Sequence, residues 1–197
     1  MNTKATSLAA LLVAGLFSFA CSGETPPAAA AGGAPLASAP AQSANSVTAA
    51  AVATPEIEAQ TKAIAALGPH HQASYPPVPF QAYAPPRPPE VVTAAFQFAA
   101  EHPEIASYVP CFCGCQQAGH KGNHDCFVRS RAANGDVIQW EEHGVECAVC
   151  IDVATRSRQL LASGASVQEI RTAIEKEFVP SAQTMTPTPK PPAAHSH

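Results

Sequence analysis

Apolar residues recur at helical spacing in three stretches of this chain between Pro89 and Phe178. Val91, Val92, Ala95, Phe96, Phe98 and Ala99 give one broad apolar face between Pro89 and Glu101. Pro89-Glu90 suits a first turn, since proline loses no needed donor there and the carboxylate complements the positive end of the helix dipole. His102-Pro103 ends the run, because the residue before a proline resists the α conformation. A short turn from Pro103 to Ser107 follows. A second helix is predicted from Cys147 to Ala162, with Val149, Val153 and Leu160 on one line, Ala154 and Leu161 beside it, and Gly164 as the stop. Ser166 then caps a third, with Glu169 three residues on as a capping box and Val167, Ile170, Ile174 and Phe178 as its stripe. Between them, Phe127-Val128 and Val137 to Trp140 flank Asn134-Gly135, a small hairpin pattern. The fold class predicted for residues 89–179 is mainly α: a small domain of three to four helices with a short β-hairpin.

Residues 1–88 lack such sustained periodicity. Leu8 to Ala20 is apolar apart from Ser18, too short for the roughly 20 residues that span a bilayer and suited to the core of a secretory signal. Residues 1–20 are therefore expected to be a signal peptide, and Ser18-Phe19-Ala20-Cys21 resembles a lipobox with Ser where Leu is usual. The expectation is an exported protein, lipid-anchored to a membrane of the cell envelope through Cys21. Residues 21–88 are rich in Ala, Pro, Ser, Thr and Gly, with little apolar surface to offset chain entropy, and are expected to form a disordered linker. Within it Pro55 to Leu67 is a weak helical patch, with Ile57, Ile64 and Leu67 on one face interrupted by Gln60 and Thr61. This patch either docks on the domain or remains free. Tyr75 to Pro89 reads as an extended polyproline spacer. Residues 180–197 form a second expected disordered tail, ending His-Ser-His.

Composition singles out one segment. Of 7 cysteines in the chain, six fall at Cys111, Cys113, Cys115, Cys126, Cys147 and Cys150. They form a C-x-C-x-C run and a C-x-x-C at a helix start, with Gly114 free to take a positive φ in the tight turn. A loop rich in Gly, His and Asn, Gln116 to Asp125, joins the run to Cys126. A domain this small, with a single Trp, needs a staple, and the thiols supply it as disulfides or metal ligands.

Disulfides are the default in an exported chain. Against them, a C-x-C pair closes a very small ring of poor geometry. Metal binding is favoured, and soft sulfur selects Cu(I), zinc or an iron-sulfur cluster. Zinc takes four ligands, such as Cys111, Cys113, Cys147 and Cys150; a thiolate-bridged Cu(I) cluster uses all six. His120 and His124 are the preferred additional ligands, with His143 also within the segment, while His70, His71, His195 and His197 read as solvated. Cys147 and Cys150 at a helix N-terminus are favoured as thiolates by the dipole.

The rival readings are a thiol-disulfide oxidoreductase or electron carrier using Cys147 and Cys150, which lacks the surrounding βαβ pattern, and a disulfide-stapled interaction module. Haem attachment is excluded because Ile151, not His, follows Cys150. The formal net charge of −4 and the lack of a basic patch exclude a nucleic-acid partner. The partners expected are the membrane, through the N-terminal lipid, and an envelope protein that receives the metal. No catalytic residue is expected.

Pro110-Cys-Phe-Cys-Gly-Cys115, with Gly119-His120, Asn123, Asp125-Cys126-Phe127, His143-Gly144 and Cys147-x-x-Cys150-x-Asp152, resembles the bacterial lipoproteins named for a PCYCGC motif. Phe112 stands in place of the usual Tyr. The resemblance spans about Glu90 to Phe178 and implies an exported, often lipid-anchored protein of obscure function.

Overall fold

The computed structural model describes residues 52–193; the expected signal peptide and Cys21 lie outside the described residues. Six α-helices and one hairpin occur among them: α1 Pro55–Ala65, α2 Pro89–Glu101, α3 Pro103–Ala106, β1 Val128–Arg131, β2 Val137–Trp140, α4 His143–Glu146, α5 Ala148–Ala162 and α6 Val167–Phe178. The fold is mainly α with one small two-stranded sheet. None of these helices is long and apolar enough to cross a membrane.

The periodic stretches form the helices they predict. Glu101 is the last residue of α2, and His102 leaves the α region at φ −127°, ψ 57° ahead of Pro103. On α6 the capping box is complete, with the Ser166 hydroxyl accepting from the Glu169 amide and the Glu169 carboxylate accepting from the Ser166 amide. Packing of α2 on α5 and of α5 on α6 forms the body. Val92, Phe96 and Ala99 from α2 meet Ile151, Val153 and Ala154 from α5 and Ile170 and Ile174 from α6 in a core excluded from water. Phe96 then meets both Phe127 and Trp140 edge to face, at ring-centroid separations of 5.1 and 5.2 Å, and so seats the hairpin on α2.

The described parts of the expected linker and tail, residues 52–88 and 180–193, differ from the sequence reading, while residues 21–51 and 194–197 lie outside the described residues. Residues 52–88 are an ordered strap. Thr61 of α1, which interrupts the apolar face, is the buried residue of that helix, and α1 packs on α3. Gln72 acts as a substitute strand partner for β2: its amide donates to the Val137 carbonyl and its carbonyl oxygen accepts from the Val137 amide. Tyr75 stacks on Trp140, and the Trp140 indole donates to the Pro76 carbonyl at 2.8 Å. Arg87 makes two bonds to the Asp152 carboxylate on α5. Residues 180–193 also pack. Thr186 and Thr188 are buried, and Arg171 of α6 donates to the carbonyls of Tyr108, Thr188 and Pro189. Specific anchors of about 1 kcal/mol each, added to an existing core, order segments whose own composition cannot form one.

Candidate metal centre

The six sulfurs converge where three pieces of chain meet. The stretch after α3 carries Cys111 and Cys115, both buried, and the part-exposed Cys113 between them. Gly114 adopts φ 87° between the last two, the left-handed conformation open to glycine. Cys126 closes a short 3-10 turn, His124–Cys126. Cys147 is the N-cap of α5, its sulfur accepting from the Cys150 amide at 3.4 Å. Cys150 sits one turn into that helix, fully buried.

Cys150 is the hub. Its sulfur lies 3.0 Å from Cys111, 3.3 Å from Cys126 and 3.5 Å from Cys113. Cys111 and Cys113 are 3.5 Å apart, and Cys115 and Cys126 3.7 Å apart. These separations exceed the roughly 2.05 Å of a disulfide bond. They approach the spacing of about 3.8 Å that two sulfurs share on one tetrahedral ion with bonds near 2.3 Å. All six described thiols are free.

Two imidazoles close the edge. His143 Nε2 lies 3.5 Å from the Cys113 sulfur and His120 Nδ1 3.6 Å from that of Cys126, with the rings edge to face at 5.4 Å. His143 is delivered by α4, a single turn on α2 and α5 that the periodicity does not announce. Its placement depends on Gly144, where a Cβ would lie 2.5 Å from the Cys126 carbonyl oxygen and 2.6 Å from Phe127.

His124, expected as a ligand, belongs to no group of neighbouring sulfurs. It is buried between Asp125, 3.2 Å from Nδ1, and the Arg131 guanidinium, which donates to Nε2 at 3.3 Å and to the carbonyls of Ala99 and Ala100. Burial holds its pKa down, and the residue links the hairpin to the end of α2. The sequence could not separate two histidines four residues apart in one loop; only the turn at His124–Cys126 sends one inward to Arg131 and leaves the other at the sulfurs.

The sulfurs divide their protons. Hydrogen bonding from Cys113, with Cys126 and Cys150, brings the Cys111 thiol down to about 4, and Cys111 foremost brings Cys115 down to about 2. Cys113 is also held low: Cys111 opposes this, but Cys115, Cys126 and Cys147 outweigh it. Cys126 and Cys150 are pushed up, in each case mainly by Cys111. His143 is raised to about 11 by hydrogen bonding to Cys113 and then Cys147, and His120 is raised by Cys115. Unshielded thiolates in a buried site are costly, and a cation offsets that cost.

The cysteine and histidine side chains form groups that can hold a metal ion: Cys113, His143, Cys147 and Cys150 in one, Cys115, His120 and Cys126 in another, with Cys111 close to both. The family described as a protein of unknown function with PCYCGC motif matches residues 83–191. The chain belongs to the PCYCGC family. The match reaches beyond residues 90–178 at both ends, taking in Arg87 of the strap and the Thr186 and Thr188 segment that backs the first motif cysteine. In this member the Phe112 ring, in place of the motif Tyr, stacks on Phe178 at 5.6 Å, a contact that asks nothing of a hydroxyl. No curated protein and no solved structure matches the chain.

Proposed function

We propose that this chain is a metal-binding lipoprotein of the bacterial envelope, anchored through Cys21, whose cysteine domain binds copper(I) or zinc to buffer, store or hand over the ion. One observation carries the reading. The donor atoms of Cys113, His143, Cys147 and Cys150 all lie within 4.8 Å of one another, a three-sulfur, one-nitrogen set that suits tetrahedral zinc and is soft enough for copper(I). Cys111, Cys115, Cys126 and His120 adjoin it, so the capacity exceeds one ion.

The dithiol alternative is less well supported. A redox pair needs two sulfurs that choose each other, whereas Cys150 is buried with three other sulfurs within 3.5 Å. No group here is assigned a catalytic role, and the proposed product is a bound ion. The envelope receptor of that ion is part of the proposal, since a protein anchored at Cys21 exchanges its cargo locally.

Metal-edge X-ray absorption on protein recovered from its native compartment tests this. A first shell dominated by sulfur near 2.3 Å with a minor nitrogen contribution is expected. A shell of oxygen and nitrogen alone would place the metal elsewhere.

A further inference from the structure

We infer that the eight donors form two unequal ion sites, an outer one that exchanges readily and an inner one that exchanges more slowly, joined through Cys111. This rests on the metal-binding reading and adds number, order and regulation to it. Four donors saturate a tetrahedral ion, and Cys113, His143, Cys147 and Cys150 supply four. Cys115, His120 and Cys126 form a further group that shares no member with the first. Cys111 lies between them, in one group with Cys113 and Cys115 and in another with Cys126 and Cys150, so its sulfur can bridge two ions or complete the inner set.

Each set carries its own imidazole. His143 faces Cys113 and His120 faces Cys126, at 3.5 and 3.6 Å. A single ion would leave Cys115 and Cys126 as buried neighbouring thiols with nothing to hold. The sets also differ in access. Three of the four outer donors, Cys113, His143 and Cys147, are part-exposed and only Cys150 is buried, whereas in the inner set Cys115 is 5 % and Cys126 0 % exposed and only His120 is part-exposed. A receiving ligand can therefore reach the outer ion along the Cys113–Cys147 edge, while the inner ion offers it the His120 side alone and exchanges more slowly.

The test is a titration of the full chain with zinc alone and, separately, with copper(I) alone, followed by native mass spectrometry and a series of chelators of rising affinity. With at least one of these ions, two bound ions are expected, removed in two steps, with one ion per chain at intermediate chelator strength. His143→Ala should weaken the first-removed ion about tenfold or more, and His120→Ala should act on the other. A single ion at saturation, simultaneous loss of both, or both variants acting on the same ion would overturn the inference while leaving metal binding intact. No bound ion in either titration would overturn both. If a variant loses its helical circular dichroism, the wild-type chelator series alone decides.

Discussion

Thr186 and Cys111 exchange two hydrogen bonds. The Cys111 amide donates to the Thr186 hydroxyl oxygen at 2.8 Å, and the Thr186 amide donates to the Cys111 carbonyl at 2.9 Å. The C-terminal segment thus fixes the backbone of the first motif cysteine, 75 positions away in the chain, and the Thr188 hydroxyl ties the same segment to Thr186 and the Lys121 carbonyl. Thr186→Val keeps the shape and removes the acceptor, leaving a buried amide unpaired. A loss of about 1–3 kcal/mol in urea denaturation of the metal-free chain is expected, with Thr186→Ser recovering most of it. An unchanged midpoint would show that the tail does not support the site.

Gly144→Ala should destabilise the domain by about 1–3 kcal/mol, because its Cβ has no room against Cys126 and Phe127. The displaced turn carries His143, so the variant should also bind metal more weakly than it unfolds more easily. Thermal denaturation with and without metal reads both effects, and wild-type behaviour in both would contradict the placement of α4.

His143 gives the metal-free protein a defined pH dependence. Its folded value of about 11 lies above the ordinary 6.5, so its contribution to stability is complete below about 6.5 and is lost as pH rises towards 11. The difference in stability between the wild type and His143→Gln should therefore be greatest below pH 6.5 and shrink steadily above it. A difference that grows with pH would mean that His143 does not face thiolates.

Cys111 titrates in the opposite sense. With its thiol at about 4 against an ordinary 9.0, the stability it lends is complete above about 9 and is lost as pH falls to about 4. Ultraviolet thiolate absorbance should persist at neutral pH in the metal-free protein and fade on acidification, and Cys111→Ser should diminish it. A wild-type spectrum without thiolate at neutral pH would rule out this charge distribution.

The helices were legible because their signals are local: Pro89, His102-Pro103, Gly164 and the Ser166–Glu169 box each act within a turn of where they stand. The gathering of six cysteines was legible because C-x-C and C-x-x-C spacing brings sulfurs close whatever the surrounding fold. The straps were not, since Gln72, Tyr75, Arg87 and Thr186 gain order only from partners such as Val137, Trp140, Asp152 and Cys111, all far away in sequence. The role of His143 is hidden from the sequence for a related reason. A single-turn helix has no periodicity to read, and its position is set by a close approach at Gly144 that becomes visible only in three dimensions.

Whether the thiols hold a metal is decided by elemental analysis paired with thiol titration, on the wild type and Cys113→Ser purified without oxygen from the native compartment. The account predicts stoichiometric copper or zinc with the thiols protected until the ion is chelated, and a Cys113→Ser protein with less metal and a lower melting temperature together, since binding energy in so small a site is also folding energy. Protein without metal and without free thiols would contradict it and make the domain a disulfide-stapled module.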